Sequence, residues 1–188
     1  TTPMNNTELG NALLKIARQA IGAELGVTHE LPAALLALPE LQQPGATFVT
    51  LTEDGELSGC IGSLQAHRPL LDDVRANARA AAFLDSRFPP LTRDEFAAVR
   101  VEVSLLAAPQ PMHFAGEADA LAQLRPDIDG VILESGWHRA TFLPQVWEDL
   151  PEPRQFMAHL KRKAGLPADY WNADIQLSRY AVQKWKEE

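Results

Sequence analysis

Asp54-Gly55 separates two runs of strand-forming residues, Thr47-Phe48-Val49-Thr50-Leu51-Thr52 before it and Glu56-Leu57-Ser58-Gly59-Cys60-Ile61-Gly62 after it. A tight two-residue turn needs positive φ, which Asp and Gly tolerate best, so the spacing predicts a β-hairpin over residues 47–63 with its turn at Asp54-Gly55. The pattern recurs: Val131-Ile132-Leu133, a Ser135-Gly136 turn and Ala140 to Leu143 read as a second hairpin. Val99, Val101, Val103 and Leu105 alternate with Arg100, Glu102 and Ser104, the mark of a half-buried strand whose polar face meets solvent or a cleft. Ile175 to Trp185 reads as a closing strand.

Helical segments stand between these hairpins without the regular alternation of a doubly wound fold. Leu9, Leu13, Ile16, Ala20 and Ile21 recur at three- and four-residue steps from Thr7 to Leu25, with Asn5, Asn6 and Thr7 available as caps and Gly26 as the stop. Pro69 suits a first helical position, and Leu70, Leu71, Val74, Ala78, Ala81 and Ala82 carry a helix to about Phe83. The prolines of Asp85-Ser86-Arg87-Phe88-Pro89-Pro90 force the chain out of that helix, and Thr92 with Glu95 forms a capping box for a short one. His29 to Pro44, with three prolines, reads as loop with a helical turn; Pro153 to Ala164 reads as a helix stopped by Gly165. The expected class is α+β, with a largely antiparallel sheet and flanking helices. At 188 residues the chain suits one domain, or a larger lobe carrying a small, discontinuous one.

Charge narrows the partners. Seventeen Lys and Arg against 25 Asp and Glu give a formal charge of −8, which argues against broad contact with nucleic acid or an anionic membrane. No apolar run approaches the ~20 residues of a bilayer span, and no secretory apolar segment follows the N-terminus. A single cysteine cannot make an internal disulfide, a Cys-rich zinc site or a self-contained iron–sulfur cluster. The expected setting is therefore cytoplasmic, with no cofactor held by this chain.

Glycines flank that one thiol in Leu57-Ser58-Gly59-Cys60-Ile61-Gly62-Ser63. Glycine within a strand marks a bulge or a close approach of another molecule to the backbone, so Gly59 and Gly62 are candidates to admit a ligand beside Cys60. Cys60 would act as a nucleophile only as the thiolate, which needs a base or a cation nearby; the same pattern also fits a buried cysteine behaving as a small hydrophobe. Asp85 and Arg87 lie where the chain changes direction after a helix, a place for binding groups or for a loop-stabilising ion pair. Glu102 and Ser104 share a polar strand face. Histidines 29, 67, 113, 138 and 159 show no metal-site spacing, though His67 or His138 would serve as a base for Cys60 if the fold brought one there. Lys161-Arg162-Lys163 reads as solvated surface complementing a helix dipole. Phosphate-loop, dinucleotide and hydrolase-elbow motifs are all missing.

The Leu-Ser-Gly-Cys-Ile-Gly-Ser string resembles the Leu-Arg-Gly-Cys-Ile-Gly signature of the AmmeMemoRadiSam system protein A, or AMMECR-one, domain family. Further strings match in the same order: Ala80-Ala81-Ala82-Phe83, Asp85 to Leu91, Val101 to Leu105, Asp129-Gly130-Val131, Phe142 to Val146, Lys163 to Leu166, and Trp171. The resemblance covers almost the whole chain and implies an α+β fold with Cys60 in a cleft between a larger and a smaller lobe. It also implies association with a Memo-like protein and a radical SAM protein. A small-molecule or peptide ligand at Cys60 would then meet Gly59, Gly62, Arg87, Glu102 and Gln145. The signature arginine is Ser58 here, so anion recognition by that arginine is in doubt, and Arg87, Arg100 or Arg139 would have to replace it.

Overall fold

The computed structural model describes residues 6–27 and 29–188, which divide into two compact units. One takes Thr1–Leu106 with Gln183–Glu188, the other the continuous segment Ala107–Val182, so the larger unit is the one built from two pieces of chain. Asn5, one of the expected caps, lies outside the described residues.

In the larger unit the hairpin forms as its turn dictates. Strands β1 (Ala46–Glu53) and β2 (Glu56–Gly62) are joined at Asp54 and Gly55, whose φ of 52° and 80° are the left-handed pair of a twist-matched turn. β1 also pairs antiparallel with β3 (Arg100–Leu106), and β8 (Val182–Lys186) completes a sheet of order β2-β1-β3-β8. Thr47, Val49 and Leu51 of β1 alternate with Phe48, Thr50 and Thr52, so one face is apolar and buried while the other is half-buried. Helices α1 (Asn6–Glu24) and α4 (Leu70–Phe83) cover the apolar face, burying Leu13, Ile16, Ile21, Val74 and Ala78 against Val49, Val101 and Val103. The end of α1 is set by Gly26 at φ 75°, with the Val27 amide reaching back to the Gly22 carbonyl at 2.8 Å. Two single helical turns, α2 (Ala33–Leu36) and α3 (Pro39–Gln42), occupy the proline-rich stretch.

The smaller unit pairs β4 (Gln110–Pro111), β7 (Gln176–Tyr180), β5 (Gly130–Ser135) and β6 (His138–Phe142) in that order, with α5 (Glu117–Gln123) and α6 (Pro153–Lys163) beside them. Its core centres on Trp147 and Phe156, stacked at 3.8 Å and 6°, among Leu133, Met157, Leu160 and Leu177. The mixed helices and antiparallel sheets are the α+β class expected.

Three local expectations need correction. Ile175 to Trp185 is two strands in two sheets: the ladder breaks after Tyr180, and the chain leaves one unit for the other. The Thr92–Glu95 capping bonds form, with the Thr92 hydroxyl donating to Glu95 at 2.8 Å, yet residues 93–98 make successive turns and no helix. Lys161 is not solvated surface: it is 1% exposed, and its ammonium reaches Glu117 at 2.9 Å because the helix turns that face inward.

Candidate functional site

The site is built from one cross-strand row. Cys60 on β2 lies opposite Thr50 on β1, and Thr50 lies opposite Glu102 on β3, so the three side chains share the sheet face that α1 and α4 do not cover. The Cys60 sulfur is 3.3 Å from the Thr50 hydroxyl. At the spacing of neighbouring strands, Glu102 is two strands and roughly 10 Å from Cys60. Cys60 and Glu102 are both half-buried, within reach of a ligand lying on this face.

β2 is an edge strand, and its unpaired backbone groups need partners. The turn after α4 supplies them. Asp85 accepts the Cys60 amide at 3.0 Å, and Arg87 reaches the Cys60 carbonyl at 3.4 Å while holding Asp85 through two bonds of 2.8 and 3.0 Å. Pro89-Pro90 keeps this segment out of the helix, leaving Asp85 to Phe88 free to fold back along β2. The Arg87 hydrogen bonds, then the Cys60 amide, hold the Asp85 carboxyl well below the usual carboxylate range. Arg87 is pushed up in turn, chiefly by its bonds to Asp85 and more weakly by the charge of Asp85. Its side chain stays 56% exposed, so part of the guanidinium faces solvent beside the thiol.

The glycines have packing reasons. A Cβ on Gly59 would collide with the Ala81 carbonyl oxygen of α4, and one on Gly62 would collide with the Phe48 ring. Ser58, at the family's arginine position, falls in a β-bulge between the pairs Leu51–Gly59 and Thr52–Leu57, and its buried hydroxyl has no hydrogen-bond partner.

Cys60, Gly59, Gly62, Arg87 and Glu102 thus all lie in the larger unit on or beside one strand row. Gln145 belongs to the smaller unit, exposed on the short 3-10 helix Pro144–Glu148. Arg139 is there too, paired with Glu134 at 3.2 Å, while Arg100 donates to the Ala97 and Val99 carbonyls. His138 sits in the smaller unit with its Nδ1 2.9 Å from the Ala164 carbonyl; His67 is exposed, its Nδ1 3.0 Å from its neighbour Gln65's carbonyl. Among the described residues no group of three His, Cys, Asp or Glu is arranged to hold a metal.

The sequence reading missed one cluster. Asp73, fully buried, accepts from the Thr47 amide and hydroxyl at 2.8 and 2.7 Å, from Ser63 at 2.7 Å and from Arg68 at 2.8 Å. Asn77, one turn on, donates to the Thr47 carbonyl at 3.0 Å. The signal was present: two polar residues at i and i+4 interrupt the apolar stripe of α4 at Leu70, Val74, Ala78 and Ala81. The cluster pins Ser63 and Thr47 at the ends of β2 and β1, fixing the register on which the Cys60 row depends.

Fold and site together define an α+β protein whose one cysteine sits on an edge strand clipped by an Asp-x-Arg turn. Comparison with known proteins gives that class its family. The AMMECR1 profile matches residues 14–185. A protein of Methanothermobacter thermautotrophicus is 35% identical over 188 residues, covering 99% of this chain and 97% of that one. One from Aeropyrum pernix is 37% identical over 185 residues, covering 95% of this chain and 78% of that one. The crystal structure of uncharacterized protein PH0010 from Pyrococcus horikoshii superposes with a TM-score of 0.83 at 32% identity, covering 96% of this chain and 92% of that one. The chain belongs to the AMMECR1 family. Among its described residues, no helix is long and apolar enough to cross a membrane.

Proposed function

We propose that this protein is a cytoplasmic enzyme component that binds a small molecule or peptide over the Cys60–Thr50–Glu102 row and uses Cys60 as nucleophile or thiol carrier. The carrying observation is the register itself, which aligns a thiol, a hydroxyl and a carboxylate on one face with a half-exposed guanidinium at the edge. Against a thiolate the Thr50 hydroxyl can only donate, which stabilises the reactive form. Arg87 would orient an anionic or carbonyl group of the ligand, and Glu102 a cationic or hydroxyl group. Gly59 and Gly62 contribute by letting the strand lie close to α4 and to Phe48. The proposed partners are a Memo-like protein and a radical SAM protein, which would supply the metal and radical chemistry.

A second reading has its own support. The fold's own atoms account for both glycines and for the Asp85–Arg87 clip, which is what a noncatalytic binding or adaptor domain with a structural Cys60 requires. Alkylation of Cys60 measured against pH separates the two. The enzyme reading expects the rate to saturate well below the free-cysteine pKa of ~8.5. In a mixture with the Memo-like and radical SAM proteins from the same source, it expects Cys60→Ala to abolish product while the fold and complex persist. Unchanged turnover with Cys60→Ala establishes the adaptor reading instead.

A further inference from the structure

A cavity lies away from the Cys60 row, between α1 and the end of β8. Its volume is about 460 Å³, within the range of small-molecule sites. Asn11, Leu14, Lys15 and Arg18, at i, i+3, i+4 and i+7, form the α1 wall, and Lys186 and Glu187 form the wall opposite.

The walls are fixed before any ligand arrives. Arg18 grips Glu187 through two bonds of 2.6 and 2.7 Å and donates to the Phe96 and Val99 carbonyls at 2.9 and 2.6 Å. Glu187 is tied to β3 at both ends of Val101, its amide donating to that carbonyl at 3.0 Å and its carboxylate accepting that amide at 2.8 Å. Trp185 packs so closely on Gly10 that a Cβ there would strike the indole. Arg18 and Glu187 therefore neutralise each other and serve as scaffold.

Lys15 and Lys186 are left over. Both are exposed on this cavity, and neither ammonium enters an ion pair or hydrogen bond among the described residues. Two free ammonium groups beside an occupied guanidinium act as two point charges, a pair that suits a compact anion carrying more than one negative charge. A phosphate monoester carries close to two negative charges at neutral pH, one for each lysine. Leu14 and the lysine stems offer apolar contact to the rest of the ligand, and a smaller cavity of about 150 Å³ continues past Arg18 and His29 toward Phe96. Glu188 stands at the rim as the opposing charge.

We propose that this cavity binds a small phosphorylated compound, with Lys15 and Lys186 holding the phosphate. The test is an NMR titration of the folded chain with inorganic phosphate, at ionic strength held constant with sodium chloride. Saturable shifts are expected at the amides of residues 11–18 and 185–187. The Lys15→Met/Lys186→Met double variant, whose fold is checked by unchanged spectral dispersion, should bind at least about tenfold more weakly, as the loss of two charge-assisted contacts implies. Glu188→Gln should bind more tightly. Shifts that stay linear with phosphate in the unaltered protein, or saturation that survives in the folded double variant, overturn the proposal.

Discussion

Replacing Gly59 by Ala tests whether α4 and β2 are in backbone contact beneath the Cys60 row. The new Cβ would overlap the Ala81 carbonyl oxygen, and that oxygen belongs to a helix locked into the core by Val74, Ala78 and Ala82. Neither backbone can give way without reopening that packing, so the overpacking cost falls at the upper end of its usual range, about 3 kcal/mol. Removing a strand glycine recovers roughly 0.5–1 kcal/mol of backbone entropy, leaving a net loss of about 2 kcal/mol. For a chain of this length that corresponds to a fall in Tm of roughly 4–8 °C. Ser58→Ala is the control on the adjacent residue: it removes a buried hydroxyl that has no partner, so stability should hold or rise. Urea unfolding followed by circular dichroism measures both. If Gly59→Ala unfolds within about 0.5 kcal/mol of the unaltered protein, the close approach of helix and strand is wrong.

What could be read from the sequence followed from local rules. Asp54-Gly55 set the hairpin because only a left-handed pair closes it, and the Leu70–Phe83 helix was visible in the spacing of its apolar residues. The row Cys60–Thr50–Glu102 was not visible, because it depends on the register of three strands and on a bulge at Ser58 that no local pattern announces. Without that bulge the residues beyond it would pair one position out of step, and their side chains would change faces. The capping box at Thr92 illustrates the opposite limit: its side-chain bonds form as expected, but Val99 must enter the core at once, so the turns never propagate into a helix. Lys161 was misread because a basic run near a helix end is usually solvated, and only the packing of the smaller unit turns one of the three inward. The glycines beside Cys60 carry the most general lesson. A glycine-flanked thiol suggests room for a ligand, yet each glycine here is filled by the protein's own atoms, so the access argument rests on Arg87 and Glu102.

Three further predictions rest on the buried polar groups. Asp73→Ala strips partners from the Thr47 amide and hydroxyl, from Ser63 and from Arg68, and should cost roughly 3–5 kcal/mol in urea unfolding; a loss below about 1 kcal/mol would mean the cluster is dispensable. Lys161→Met keeps the buried aliphatic volume and leaves Glu117, which is 38% exposed, to water, so stability should change by less than about 1 kcal/mol in thermal unfolding. The Asp85 clip should make stability acid-sensitive in a defined direction. Its carboxyl is held below the ordinary value of 3.8 by Arg87 and the Cys60 amide, so its contribution is complete above that value and is lost as pH falls below it, when the native state must take up a proton it holds weakly. Asp85→Asn should therefore lower Tm at pH 6 and flatten its fall between pH 4 and pH 2, a range set by that depressed titration. Asp85→Ala, which leaves no acceptor there, frees the edge of β2 at Cys60, so hydrogen exchange at the Cys60 amide should quicken while that of Val49, in the centre of the sheet, does not. An unaltered acid limb in Asp85→Asn together with a still-protected Cys60 amide in Asp85→Ala would show that another group closes that edge.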